Sequence, residues 1–504
     1  MAARGGDVMR RLSPAALADL PAGTGPLLPP QDTGVGIVHL GIGAFHRAHQ
    51  AVLTEEAMAA AGDASWGICG VTQRSTAVLD QLGPQGGLYS VLVRSAGGTD
   101  VRVRGPVREL LCARDDPAAV PARLADPRVR VVTLTVTEKG YRHDPATRRL
   151  RTDDEEVRAD AAGRPPRTVV GQLARGLQAR CAGDAGPVAV LCCDNLPANG
   201  EVLAGLVADF CDLLPAAEGE RLRSWIAANA TFPSSMVDRI VPATTDTDRA
   251  EAARLLGVED HGAVVTEPFR QWVVEDSFAG GRPAWEHVPG VVLTGDVEPY
   301  EAMKLRMLNG AHSAIAYLGG LAGFAHVADA VADDDLAGFV RRFWAEEVVP
   351  TLDVPGGFDV TAYQHDLLER FANPALRHRT AQIAMDGSQK LPQRLLATAR
   401  DRLAAGGQPR LTALAIAGWA RYVTAGTAED GTPLAVDDPL AAELARAGGG
   451  AGGGRAATEA LLGVRAVFGD ELPADPGFRA LVLEAASALE RGGVRTALKE
   501  ALAG

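Results

Sequence analysis

The chain has 504 residues, 47% of them apolar and 22% charged, and a net charge of −13 at pH 7. That length is too great for one ordinary hydrophobic core and predicts two domains. The acidic balance, with no compensating basic run, argues against a nucleic-acid surface, and no window approaches the roughly 18 unbroken apolar residues of a membrane span.

The N-terminal residues MAARGGDVMRRLSP lack the apolar segment of a secretory signal, which predicts a cytoplasmic protein. In chain order, apolar and β-branched runs occur at VGIVHL (35–40), WGICGV (66–71), VRVVTLTVT (129–137), PVAVLCCD (187–194) and GAVVTE (262–267). Helical periodicity lies between several of them, as in TVVGQLARGLQAR (168–180). Such alternation predicts an α/β domain of the Rossmann type, on a mainly parallel sheet, over residues 1–295. From about Tyr300 the β-branched runs give way to amphipathic segments, DDLAGFVRRFWAEEVV (334–349), PQRLLATARDRLAA (392–405) and PGFRALVLEAASALERG (476–492). Residues 296–504 are therefore expected to form a mostly α-helical domain. The tract GGGAGGGR (448–455) follows no strand and is read as a surface loop rather than a phosphate cradle. The six cysteines, Cys69, Cys112, Cys181, Cys192, Cys193 and Cys211, form no C-x-x-C pair and read as buried thiols in a reducing compartment.

Within the first domain LGIGAFHRAH (40–49) joins the first strand to the helix-like AVLTEEAMAAA (51–61). Two close glycines in a strand-to-helix turn let backbone N–H groups approach a pyrophosphate. The usual third glycine is replaced by His46, so the turn alone leaves three readings: a nucleotide site, a plain tight turn, or a metal pair His46/His49. After the second strand the chain reads TQRSTAVLD, with no acid before Asp80. Arg74 stands where a ribose-binding acid is usual, suited to a 2′-phosphate or to stacking on adenine.

Only four of the 50 basic residues are lysine: Lys139, Lys304, Lys390 and Lys499. Arginine stays protonated whereas a buried lysine can exchange its proton near neutral pH, so lysines here attract attention. Lys304 lies in YEAMKLRMLNGAHS (300–313). On an ideal helix of about 100° per residue, with Glu301 at zero, Lys304 lies near −60°, His312 near +20° and Asn309 near +80°. These four groups share one arc and make a candidate acid–base array; the alternative is a solvated face with an i,i+3 ion pair. LCCDNLPANG (191–200) places Asp194 and Asn195 at a strand's carboxyl end, where open α/β sheets bind ligands. SSMVDRIVP (234–242) places Asp238 among apolar neighbours, and MDGSQKLPQR (385–394) carries Lys390.

Together GIVHLGIGAFHRAHQ, TVTEKGY, CDNLPANG, FPSSMVDRIVPAT, EPFRQWVVEDSFAGGRPAWE, YEAMKLRMLNGAHSAIAYLG and AMDGSQKLPQR resemble the polyol-specific long-chain dehydrogenases, the mannitol dehydrogenase family, from about residue 35 to the end of the chain. That family includes mannitol 2-dehydrogenases and fructuronate reductases (D-mannonate oxidoreductases). The resemblance implies a zinc-independent hydride transfer at C2 of a sugar alcohol or acid, with no metal. It implies that the G-x-G-x-F-H turn holds the nicotinamide cofactor, through Ile37, Val38, His39, Leu40, Gly41, Ile42, Gly43, Ala44, Phe45, His46, Arg47 and Ala48, with Arg74 at the ribose end. NAD is the expected cofactor, with NADP left open by the missing acid. By motif, Lys304 would be the general acid–base, Asn195 and Asn309 the oxyanion hole, His312 a substrate-positioning group and Glu301 the gate of a proton path. Asp238 and Lys390 match substrate-binding positions. Mannitol dehydrogenases carry an arginine eight residues before the lysine matching Lys390; here that position is Gln382, with Arg379 one helical turn earlier, a pattern that resembles fructuronate reductases. A cation such as Arg379 or Lys390 can hold a substrate carboxylate. The expected reaction is D-mannonate with D-fructuronate, the alternatives being another polyol or hexuronate 2-dehydrogenase, a non-catalytic dinucleotide-binding protein, or a metal hydrolase. The expected partner is a small sugar acid or polyol; oligomeric state is not legible in the sequence.

Overall fold

The computed structural model describes residues 9–30, 33–144, 147–449 and 454–503. The start of the N-terminal segment (1–8) and four residues of the glycine tract (450–453) lie outside the described residues. The chain forms two compact units, Met1–Glu298 and Pro299–Gly504.

The first unit contains the strands β1 (Val35–Leu40), β2 (Gly67–Thr72), β3 (Tyr89–Ser95), β4 (Gly98–Arg104), β5 (Val107–Cys112), β6 (Val131–Leu134), β7 (Val188–Cys192), β8 (Ala230–Thr231), β9 (Ser235–Asp238), β10 (Val264–Thr266), β11 (Gln271–Glu275) and β12 (Val291–Thr294). Six of them form one sheet in the order β5-β2-β1-β6-β7-β8, every neighbouring pair parallel. Alternate residues serve opposite faces. Val38, Leu40, Val71, Val132 and Val190 join one core cluster, with the helices Val169–Gly183 and Asn199–Asp212. Ile37, Ile68, Val131 and Leu191 join another, with the helix Gln50–Ala61, Trp272 and Trp285. Burial on both faces explains why β1 and β2 read as continuous apolar runs. This is the Rossmann-like architecture expected.

Two further sheets depart from the single-sheet expectation. GAVVTE supplies β10, which pairs in parallel with β3 in a separate sheet, order β10-β3-β4, and β12-β11-β9 forms a third. The run 129–137 also stops short as a strand, ending at Leu134. Beyond it the chain turns through Thr137 at φ +68°.

The fully buried Arg180 near the end of its helix forms no ion pair with a carboxylate among the described residues. Instead its guanidinium donates to the carbonyls of Leu124, Asp126, Val129, Ala185, Gly186 and Pro187 at 2.8–3.2 Å. One cation thus satisfies the loops at the amino edges of β6 and β7.

Among the described residues the second unit has no strand, only isolated bridges such as His326 with Arg379. Its central helix, Gly310–Leu321, is buried along its whole length, which is why that sequence is apolar all round rather than amphipathic. Three stretches adopt the wider π-helical turn: Lys304–Asn309, Phe343–Val348 and Pro392–Leu396. Glu347, in the second of these, caps the helix Arg410–Ala425 by accepting from Leu411 N at 2.7 Å, Thr412 N at 2.8 Å and Thr412 Oγ1 at 2.5 Å. The last helix, Pro476–Ala503, breaks its φ/ψ pattern at Gly493, just beyond the segment 476–492 read from the sequence. No helix among the described residues is long and apolar enough to cross a membrane. All six cysteines are free; five are buried, and Cys181, expected buried, is half-exposed on the last turn of its helix.

Replacing Arg180 with Met leaves six carbonyls short of donors. Urea denaturation should show the first unit destabilised by about 3 kcal/mol or more, since a buried acceptor left unmade costs ~1–3 kcal/mol. Arg180→Lys, with three donors in place of five, should recover only part of the loss.

Candidate active site

In the first unit the site begins with a turn that has no room to relax. Gly41 sits at φ +100°, and a Cβ there would lie 2.1 Å from the carbonyl oxygen of Thr135. Its N–H and that of Ile42 both donate to Val71 O, at 2.8 and 3.1 Å, and its carbonyl accepts from Thr135 Oγ1 at 3.0 Å. The turn is thereby stitched to β2 on one side and to the end of β6 on the other. Gly43 differs: at φ −98° any residue would fit, and a Cβ would meet nothing closer than Gly41 O at 3.8 Å. Nothing in the protein's own packing requires glycine at 43. The helix that follows is not continuous; Ala44–Ala48 ends at His49, and Gln50–Ala61 begins there.

The imidazoles beneath this turn are packed into the fold. His39 is buried and bonded at Nδ1 to Thr133 Oγ1 (2.8 Å) and at Nε2 to Thr135 Oγ1 (2.9 Å). His46 stacks on it, ring centroids 3.3 Å apart and 11° from parallel. His49 Nε2 meets Gln271 O at 2.9 Å. The two rings of the suggested metal pair thus have different neighbours, His46 stacking on His39 and His49 bonding to Gln271. Among the described residues no group of three or more His, Cys, Asp or Glu side chains gathers as metal ligands. Burial holds the His39 pKa down to about 3 and that of His46 well below 6.5, the latter helped by His39, Arg47 and His49. Both rings are neutral at pH 7.

Arg74 follows β2 and is exposed. Asn195 lies at the carboxyl end of β7, also exposed. Its neighbour Asp194 accepts from Val136 N (2.9 Å), Thr137 N (3.1 Å) and Tyr141 Oη (2.6 Å), so it fixes the strained loop after β6. Burial raises its pKa against these three bonds. Asn199 ties the same turn to β9 through Asp194 O (3.0 Å), Ser235 O (2.7 Å) and Ser235 N (2.9 Å). Asp238 ends β9 and is buried.

In the second unit Glu301, Lys304, Asn309 and His312 lie on one helical run, but not on the regular α-helix expected from 100° spacing. Glu301 belongs to Glu298–Met303, Lys304 and Asn309 open and close the π-helical stretch, and His312 lies in the first turn of Gly310–Leu321. In a π turn the bond runs i→i+5, so Lys304 and Asn309, five apart, rotate toward a common face. The wide turn also leaves carbonyls without helical partners. Trp344 Nε1 donates to Met307 O at 2.9 Å, and the Arg394 guanidinium reaches Asn309 O at 3.5 Å and Ser313 Oγ at 3.2 Å. Gly310 passes so close to the Arg394 backbone that a Cβ would lie 2.8 Å from its carbonyl oxygen. Residues from the other two π-helical stretches thus brace the one that carries Lys304.

Lys304 and His312 are buried, Glu301 and Asn309 half-buried. His312 packs 4.3 Å from Phe371 and 5.3 Å from His378, and its Nε2 has no hydrogen-bond partner. Burial first, then His378, Arg370 and Arg394, hold its pKa well below 6.5. Sequence reading missed these three neighbours because they are distant along the chain. Arg379, expected on a helix beside Gln382, instead precedes the helix Thr380–Ala384 in extended conformation and is exposed; its carbonyl accepts from Gln382 N at 3.1 Å, and the bridge to His326 is made by its neighbours, through Val327 N to His378 O and Thr380 N to Ala325 O. Lys390 Nζ donates to Met385 O and, at 3.2 Å, to Ile383 O, closing the loop of its own motif.

Two family models match the chain: the mannitol dehydrogenase Rossmann domain over residues 35–287 and the mannitol dehydrogenase C-terminal domain over residues 296–490. The chain belongs to the mannitol dehydrogenase family. Among its relatives, the uncharacterized oxidoreductase YeiQ of Escherichia coli K12 is 44% identical over 92% of this chain and 94% of its own. The D-mannonate oxidoreductase of the same organism is 42% identical over 90% and 93%. A solved mannitol 2-dehydrogenase from Pseudomonas fluorescens, a ternary complex with NAD and D-mannitol, has a TM-score of 0.85 and 36% identity, covering 97% of this chain and 99% of that one. Membership of the mannitol dehydrogenase family makes the protein an oxidoreductase.

The buried histidines predict a pH response. Their folded pKa values lie below the unfolded value near 6.5, so the unfolded chain binds more protons in between. Stability therefore falls as pH drops below about 6.5, by up to ~1.4 kcal/mol per pH unit for each such histidine. Thermal melts between pH 7 and 4.5 should show this slope, and His46→Phe, which keeps a stacked ring without a titrating one, should flatten it.

Proposed function

We propose that the protein is an NAD(H)-dependent oxidoreductase that interconverts D-mannonate and D-fructuronate at C2. The residues present fit a dinucleotide: the Gly41 turn is fixed by its neighbours, and Gly43 leaves open space that the fold itself does not need. Backbone at Ile42–Ala44 would hold the pyrophosphate, with Ile37–Leu40 beneath and Phe45–Ala48 behind. Bound NAD(H) supplies or accepts the hydride. In the direction of reduction Lys304 gives its proton to the C2 oxygen, Asn309 donates an amide N–H to the same oxygen, and Glu301 returns a proton from solvent to Lys304. By family motif Asn195 is assigned as an oxyanion-hole amide and Asp238 as a substrate-binding group. Neutral His312 orients the substrate through its unpartnered Nε2 without adding charge.

The observation that carries the acid-substrate reading is the guanidinium of Arg394, which reaches Ser313 Oγ at 3.2 Å, next in sequence to His312. Fixed positive charge beside a substrate-orienting group favours a carboxylate. Against it stands the exposure of Arg379, which favours a mannitol-type polyol 2-dehydrogenase as the second reading. The deciding experiment measures NADH oxidation against fructuronate, other keto-uronates and fructose. Fructuronate is expected to exceed fructose in kcat/KM by about one to two powers of ten, the worth of one charged hydrogen bond. Arg379→Ala should shrink that ratio if Arg379 holds the carboxylate; an unchanged ratio moves the assignment to Lys390, Arg370 or Arg394. Equal use of both sugars would establish the polyol reading.

Lys304→Ala should lower kcat by about 10²- to 10⁴-fold while NADH still binds, the range usual for acid–base catalysis. Lys304→Arg should be nearly as inactive, because guanidinium does not cycle its proton. Gly43→Ala should fold normally yet weaken NADH binding about tenfold or more, a cost of ~1.4 kcal/mol, in a fluorescence titration. Gly41→Ala should lower the melting temperature instead.

A further inference from the structure

The residues from the end of β2 onward, Thr72 to Thr76, carry the wrong charge for a site built only for a ribose diol. In dinucleotide-binding sheets a carboxylate near the end of the second strand binds the adenosine ribose 2′-hydroxyl, whereas a nearby arginine accommodates a 2′-phosphate. Here no Asp or Glu occurs between Thr72 and Asp80. The side chain after the strand, Gln73, is paired head to head with the amide of buried Gln172, at 3.1 and 2.9 Å. It is held away from other duties. Arg74 is exposed, and no ion pair or hydrogen bond among the described residues occupies its guanidinium. Ser75 Oγ accepts the Ala77 N–H at 3.1 Å, so its own O–H is left to donate. The Thr72 hydroxyl is an orphan as well: the residue is 8% exposed and its Oγ1 has no hydrogen-bond partner.

This strand end adjoins the glycine turn, since Gly41 and Ile42 donate to Val71 O, one residue before Thr72. A dinucleotide with its pyrophosphate at the turn therefore carries its adenosine ribose over Gln73 and Arg74. We propose that the cofactor site takes the 2′-phosphorylated dinucleotide NADP(H) as well as NAD(H), with the Arg74 guanidinium and the Ser75 hydroxyl as ligands of the 2′-phosphate. A guanidinium presents a planar fork that matches phosphate oxygens, and the missing carboxylate removes the repulsion by which NAD-specific sites reject that group.

The proposal rests on the reading of the turn as a nicotinamide dinucleotide site, and calorimetric titration separates the two. The probes are NADH, 5′-AMP and adenosine 2′,5′-bisphosphate, against wild type, Arg74→Ala and Arg74→Glu. Because Arg74 is exposed and unbonded, both variants should fold. The bisphosphate is expected to bind wild type about ten- to hundredfold more tightly than 5′-AMP, the range of one charge-assisted hydrogen bond. Arg74→Ala should abolish that advantage and Arg74→Glu reverse it. In turnover, NADPH should support kcat/KM within about tenfold of NADH and lose ground in both variants. Binding of NADH with no preference for the bisphosphate overturns this proposal and leaves the dinucleotide reading standing, as does an advantage that survives Arg74→Ala. Failure of all three probes to bind overturns the dinucleotide reading itself.

Discussion

The first unit's candidate site depends on one close approach, that of the Gly41 backbone to the carbonyl of Thr135. The 2.1 Å available to a Cβ means that the chain leaving β1 is held against the end of β6 by contact as well as by hydrogen bonds. Thr135 Oγ1 donates to the Gly41 carbonyl, and His39 Nε2 meets that same hydroxyl, so the turn's carbonyl, the hydroxyl and the imidazole form one chain. Backbone geometry fixed this firmly offers N–H groups to an anion without reorganisation, which is what electrostatic binding rewards. The missing third glycine has a physical counterpart: His46 turns its ring onto His39 and packs the helix start by stacking.

In the second unit the equivalent constraint is the π-helical stretch from Lys304 to Asn309. A widened turn is intrinsically poor in hydrogen bonds and persists only where neighbours satisfy its freed carbonyls. Trp344 and Arg394 do so from two other π-helical stretches. Their side chains therefore act on the candidate catalytic face without belonging to it, and Arg394 also adds to the field that keeps His312 neutral.

The two units share a way of handling buried polar groups. Arg180 spends its donors on carbonyls rather than on an acid, and Glu347 spends its oxygens on a helix terminus. His39 and His46 stay uncharged because a buried imidazolium would lose more hydration than its neighbours return. Against that background the Thr72 hydroxyl and His312 Nε2 are buried polar atoms without a partner that lie within the two candidate sites.

The sequence by itself determined the parallel sheet, the helical second half, the glycine turn and the grouping of Glu301, Lys304, Asn309 and His312. All of these are local: strand burial writes itself as apolar runs, a tight turn demands glycine, and residues within a dozen positions share a helix whatever surrounds them. It misjudged what depends on partners far along the chain. β10 joined a separate sheet because its pairing strand, β3, lies more than 160 residues earlier. The regular wheel over 301–313 gave way to a π turn because Trp344 and Arg394 were there to stabilise it, and periodicity carries no trace of either. Arg379 was given a helical position that the chain does not enter until Thr380, since its neighbours His378 and Thr380 bond across to Val327 and Ala325 and hold it extended. Local spacing fixes which side chains can be neighbours; only tertiary packing decides which turn they adopt, which of them are buried, and therefore which charges a ligand would meet.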